Sequence, residues 1–130
     1  ELGEMTQIFI NLINNACDAI VERQNAEDGR RSFGQIDIGV QKKGARYEVS
    51  IADNGVGVPP EMRDRVFDLF FTTKPVGKGT GQGLAITSAI LERRGGAIAC
   101  RANMPTGCVF TLDLPCAQDK PAEADQRAFA

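Results

Sequence analysis

The chain has 130 residues, 42% hydrophobic and 25% charged, the proportions of one ordinary globular domain, which excludes wholesale disorder. Lys+Arg 15 against Asp+Glu 17 gives a net charge of -2, without the basic surplus of a general nucleic-acid binder. There are no histidines, so histidine acid–base chemistry and histidine-ligated zinc are excluded for this chain. No apolar run reaches the roughly 18 residues of a membrane span, and no basic-then-apolar N-terminus marks a signal peptide.

In chain order, Ile8, Leu12, Ala16 and Ala19, with Phe9, Ile13 and Ile20 beside them, recur at helical spacing and predict a helix over 4–25. A polar, glycine-bearing loop over 26–34 follows. QIDIGVQK alternates through Ile36, Ile38 and Val40, and RYEVSIAD through Tyr47, Val49 and Ile51. These two segments read as an antiparallel hairpin. DNGVGVPP is a turn-rich break, and PEMRDRVF fits a short helix with proline at its start. Residues 68–82 have no regular pattern. QGLAITSAILERR predicts a second helix stopped by Gly95 and Gly96. GAIACRAN and GCVFTLDLP give two last strands, joined by a turn at Met104–Gly107. The tail, 117–130, is charged and unpatterned, as expected of a disordered end or a linker. This order predicts an α+β sandwich over 1–116, its antiparallel-rich sheet covered on one face by helices.

Chemistry concentrates in the middle. Of the 14 glycines, six lie between Gly55 and Gly83. Gly79, Gly81 and Gly83 run directly into the second helix, the usual setting for a phosphate at a helix N-terminus. A flexible surface loop would have the same composition, and neither the P-loop pattern nor the dinucleotide fingerprint is matched. Asn11 and Asn15 share one helix face, with Asp18 close to it. An amide oxygen is a hard ligand, suited to magnesium already carrying phosphate oxygens, though solvated amides would read the same. Asp53, closing a strand before Asn54–Gly57, offers a carboxylate that selects adenine by its exocyclic amino group. A simple Asp-Asn-Gly turn is the alternative. Lys74 and Lys78 are mobile charges within reach of phosphates, or plain surface charges. Phe67, Phe70 and Phe71 are expected to anchor the irregular segment in the core. The cysteines, Cys17, Cys100, Cys108 and Cys116, lack the spacing of a zinc site and read as buried thiols. A Cys100–Cys108 bridge across neighbouring strands is conceivable.

These pieces, in this order, resemble the ATP-binding domain shared by gyrase-type topoisomerases, Hsp90 chaperones, histidine kinases and MutL proteins. NLINNACDA is similar to the asparagine box of that family, and DNGVGVP to its first glycine box. VFDLFFTTKPVGKGTGQGLAI resembles its phenylalanine box running into the second glycine box. The resemblance covers residues 7–86, and its wording looks most like sensor histidine kinases of the nitrogen-regulation and oxygen-sensing type. It implies the Bergerat ATP-binding fold, a two-layer α/β sandwich with a mixed, mostly antiparallel sheet, here without the first strand.

By that resemblance, ATP and magnesium are the cofactors. Asn15 would coordinate the metal with Asn11 assisting, and Asp53 would bind adenine in a pocket shaped by Gly55 and Gly57. Lys74, Thr80 and the backbone around Gly79, Gly81 and Gly83 would hold the phosphates, Lys74 also neutralising charge during transfer, with Asp18, Lys78 and Leu84 also counted in the nucleotide site. Residues 68–82 would form an ATP lid, and Asp18 would be a polar support. Hydrolysing relatives carry a glutamate where this chain has Asn11, which favours a kinase whose acceptor is already a nucleophile. The expected acceptor is a histidine on a helical hairpin of the same full-length protein, with a response regulator downstream. The implied setting is a cytoplasmic domain, monomeric alone, within a homodimer that tolerates a membrane anchor. The alternatives are an ATP-hydrolysing switch and a degenerate module without catalysis.

Overall fold

The computed structural model describes residues 2–27, 33–68 and 83–116. The expectations for Phe70, Phe71, Lys74, Lys78, Gly79, Thr80, Gly81, the tail over 117–130 and all of the lid over 68–82 except Asp68 lie outside these residues. The elements are α1 (Leu2–Ala26), β1 (Ile36–Lys43), β2 (Arg46–Asp53), a 3-10 turn (Pro60–Met62), α2 (Gly83–Arg93), β3 (Ala97–Ala102) and β4 (Cys108–Pro115).

Helix α1 buries Ile8, Leu12, Ala16 and Ile20, a four-residue repeat that drifts slowly around the helix and keeps one stripe on the sheet. Helix α2 buries Thr87, Ile90 and Leu91. It ends in a Schellman turn: Gly95 takes a positive φ of 80°, Gly96 N–H bonds the Leu91 carbonyl at 2.8 Å, and Gly95 N–H bonds that of Glu92 at 3.1 Å. Glu4 joins the two helix ends through Arg93 at 3.1 Å and Arg94 at 2.9 Å.

The four strands pair in the order β1-β2-β4-β3. Every pairing among the described residues is antiparallel, in keeping with the mostly antiparallel sheet expected from the sequence. Register sets Val49 opposite Leu112 and Ile51 opposite Phe110. Together with Ile8, Leu12, Ile90, Leu91 and Cys108 these side chains form one core, each large aliphatic member contributing roughly 1.5–3 kcal/mol by leaving water. Phe67 meets Phe110 edge-on, with ring centroids 6.1 Å apart, which anchors the near end of the irregular segment as expected.

Three readings need adjustment. PEMRDRVF gives only the 3-10 turn followed by further turns, because so short a segment nucleates an α-helix poorly. Strand β1 keeps the alternation but not the burial: Ile38 is 54% and Val40 67% exposed, since α1 lies against β2 and α2 against β3, away from the β1 edge. Cysteine burial is uneven. Cys108 is buried, Cys100 and Cys116 are half-buried, and Cys17 is exposed because it faces away from the α1 core stripe.

Candidate functional site

Asp53 closes β2 and is only 1% exposed, one of two polar or charged side chains in the core of the described residues. Its Oδ1 accepts the Gly55 N–H at 2.8 Å, and the Cys108 N–H also bonds the carboxylate. Burial raises its pKa above the ordinary aspartate value, and the two N–H donors pull partly against that rise. The result is a carboxylate fixed in a poorly solvated place, where any hydrogen bond it accepts from a ligand is stronger than in water.

The loop after Asp53 is clamped from two sides. On the α1 side, Val56 N–H bonds the Ala19 carbonyl at 3.2 Å, and Arg23 donates through Nε to the Asn54 carbonyl. Gly55 lies so close to α1 that a Cβ there would stand 2.5 Å from the Ala19 carbonyl carbon. On the other side is the β3–β4 turn. Asn103 Nδ2 donates to the Asp53 carbonyl at 2.8 Å, and Thr106 Oγ1 donates to the Gly55 carbonyl at 2.8 Å. A Cβ on Gly107 would fall 1.9 Å from the Asp53 carbonyl oxygen. Gly57, at φ 81°, packs against Gly107 in turn.

Arg23, Asn103, Thr106 and Gly107 were not singled out in the sequence. The 104–107 turn reads as a connector. The only local signal is a glycine closing a turn that opens with asparagine, which by itself says nothing about a remote carboxylate.

The other end of the site lies between the helices. Asn11 donates through Nδ2 to the Gly83 carbonyl at 3.3 Å and to Thr87 Oγ1 at 3.4 Å, joining α1 to the start of α2. Asn15 is half-buried and its side chain makes no hydrogen bond among the described residues. Asp18 is exposed. Gly83 opens α2 with room to spare, since a Cβ would sit 3.8 Å from Asn11 Cγ. Leu84 packs against the core.

Helix α1 joins the two ends. Asn11, Asn15 and Ala19 are spaced by four and share one stripe. Asn11 touches α2 and Ala19 touches the Gly55 loop, so Asn15 lies midway, with about 12 Å of helix axis between its neighbours on the stripe. No cluster of three His, Cys, Asp or Glu able to hold a metal occurs among the described residues. The site fits a cation only as a hard ion sharing the Asn15 amide oxygen with oxygens brought by a bound ligand.

The chain matches the family of histidine kinase-, DNA gyrase B- and HSP90-like ATPases over residues 3–118. It belongs to this family. Among curated members, the two-component sensor PprA of Pseudomonas aeruginosa is 36% identical over 124 residues, 95% of this chain and 13% of PprA. The sensor histidine kinase ZraS of Escherichia coli is 35% identical over 111 residues, 85% of this chain and 21% of ZraS. The chain therefore spans a small part of these relatives. Among solved members, the nucleotide-free catalytic domain of the histidine kinase ThkA superposes with a TM-score of 0.71 at 31% identity, over 88% of this chain and 69% of that one. Full-length ShkA in complex with AMPPNP superposes at 0.69 and 31% identity, over 90% of this chain and 22% of ShkA. The α/β sandwich expected from the sequence is the fold of these catalytic domains. No described helix is long and apolar enough to cross a membrane.

Proposed function

We propose that this chain binds magnesium-ATP and donates the γ-phosphate to a histidine outside itself, as the catalytic domain of a sensor histidine kinase in two-component signalling. The observation that carries the reading is Asp53: a 1%-exposed carboxylate held by two backbone N–H groups in a loop wedged against the asparagine-bearing helix. Its acceptor oxygens suit the adenine amino group and disfavour guanine, which presents an oxygen there.

Phosphates would extend from that end along α1 toward the start of α2. Asn15, partnerless among the described residues, would supply an amide oxygen to magnesium, the ion that neutralises charge on the transferring phosphoryl group. Lys74, Lys78, Gly79, Thr80, Gly81 and Gly83 would complete the phosphate side, with Leu84 beneath them. Asn11 would act through position: its amide donates to the Gly83 carbonyl, which a glutamate carboxylate at that place could not do. This supports a neutral residue there and argues against a water-activating base. An imidazole acceptor needs little base catalysis, so positioning and charge neutralisation are the work left to this chain.

The chain has no histidine, so the acceptor belongs to another segment, in this reading a helical hairpin of the same full-length, homodimeric protein. A response regulator would take the phosphate onward in the cytoplasm. The test supplies γ-labelled ATP and magnesium to the chain, with and without that hairpin. The expected result is acid-labile, alkali-stable label on the hairpin and none on the chain alone. Steady phosphate release by the chain alone would contradict it.

A further inference from the structure

Cys100 and Cys108 stand apart from the nucleotide chemistry just described, yet border it. Their sulfurs are 2.8 Å apart, whereas a disulfide needs about 2.0 Å. Register sets Cys100 opposite Phe110 and Ala102 opposite Cys108, so the two thiols are a diagonal pair on the core face of the β3–β4 hairpin. Cys100 is half-buried and reachable by a small oxidant, whereas Cys108 is 3% exposed.

We propose that Cys100 and Cys108 are a redox-active pair that closes to a reversible disulfide and so modifies the strands that hold Asp53. The attacking thiolate is Cys100. The hydrogen bond shared with the Cys108 thiol lowers the Cys100 pKa, helped by the Arg63 guanidinium and opposed by burial and the Asp53 charge. Cys108 keeps its proton because it is buried beside a sulfur that ionises first. With a peroxide as oxidant, the Cys100 thiolate attacks one peroxide oxygen and the O–O bond breaks. The leaving oxygen takes a proton as water, and Cys100 becomes a sulfenic acid. Cys108 sulfur then displaces the sulfenic hydroxyl, its own proton leaving with that hydroxyl as a second water. Two thiols are oxidised, one peroxide is reduced, and a small-molecule thiol reductant reverses the bond by exchange.

The consequence follows from what the hairpin carries. Cys108 supplies a backbone N–H to the Asp53 carboxylate. Asn103 and Gly107, in the turn the bridge would enclose, press on the Asp53 carbonyl. Drawing the sulfurs together displaces the start of β4 and lengthens the Cys108–Asp53 bond. The expected effect, resting on the nucleotide reading above, is ATP binding weakened about tenfold, as for loss of one hydrogen bond to a charged group.

The test uses the chain with Cys17→Ser and Cys116→Ser, oxidised in native buffer with equimolar hydrogen peroxide. Intact mass should fall by two hydrogens, a non-reduced digest should give one peptide linking Cys100 to Cys108, and dithiothreitol should reverse both. Cys100→Ser should abolish the link and leave ATP binding by the reduced protein unchanged. Oxygen added to Cys100 without a link, or a link only between two molecules, would overturn the pair. A link with unchanged ATP affinity would overturn the coupling to Asp53. Failure of the reduced protein to bind ATP would overturn the nucleotide reading and leave the disulfide standing.

Discussion

The two ends of the site are built on opposite plans. Around Asp53 the backbone is locked: absent Cβ atoms at Gly55 and Gly107 leave gaps that a real Cβ would overfill, at 2.5 Å and 1.9 Å from their neighbours. At the other end Asn11 and Asn15 are half-buried and Asp18 is exposed, and Gly83 has ordinary van der Waals space at 3.8 Å. In the proposed reading, a base must be met by one fixed acceptor, which suits the end held by packing. A metal–phosphate group would bring its own charge and geometry, which suits the end with fewer walls. Substitutions at the first end should therefore disturb packing or charge together with affinity, and those at the second should leave the fold nearly intact.

The largest effect is expected at Gly107. Alanine there must take a φ of 111° and displace the Asp53 carbonyl, costing about 3 kcal/mol or more of stability. Chemical denaturation checks this, and an unchanged midpoint would break the contrast between the ends. Next is Asp53→Asn, which keeps an acceptor for the Gly55 N–H but removes the charge. ATP affinity should fall about 100-fold, the loss of a desolvated charge-assisted bond, while the melting temperature holds or rises.

The same residue gives a pH signature. Its pKa is raised by burial, so the folded chain binds this proton more readily than the unfolded chain does. Between the unfolded and folded pKa values, the stability owed to Asp53 falls as pH rises. Acidification through the folded pKa should weaken ATP binding and, for this group, favour the fold, and Asp53→Asn should show neither trend. Smaller still is Asn15→Ala, expected to remove the magnesium dependence of binding, about tenfold, with stability changed by less than about 0.5 kcal/mol. Retained magnesium dependence would remove the ligand role. Gly83→Ala should be the mildest for folding, neutral or stabilising by up to about 1 kcal/mol as a helix residue, read from the melting temperature.

The elements were legible in the sequence because their signals are local. The Ile8–Leu12–Ala16–Ile20 stripe, the Val49–Ile51 alternation and the Gly95–Gly96 stop need no knowledge of the rest of the chain. The exposure of Ile38 and Val40 was not legible, since alternation names a strand face without saying whether a helix lies over it. The clamp on Asp53 was also hidden. Gly107 and Asn103 reach that carbonyl only after β4 pairs with β2, and no short motif encodes a contact across that separation. Asn11 was legible as a polar residue on an apolar helix, but its bond to Gly83 depends on how the helices pack. At the candidate site, motif order named residues, and the fold showed which neighbours hold the described ones.

The most direct test is calorimetric titration of this chain with ATP and with GTP, each with and without magnesium. The account predicts magnesium-dependent ATP binding, with GTP at least tenfold weaker because guanine offers Asp53 an acceptor instead of a donor. Equal binding of the two nucleotides, or none of either, would contradict the assignment of Asp53 as the adenine-reading carboxylate.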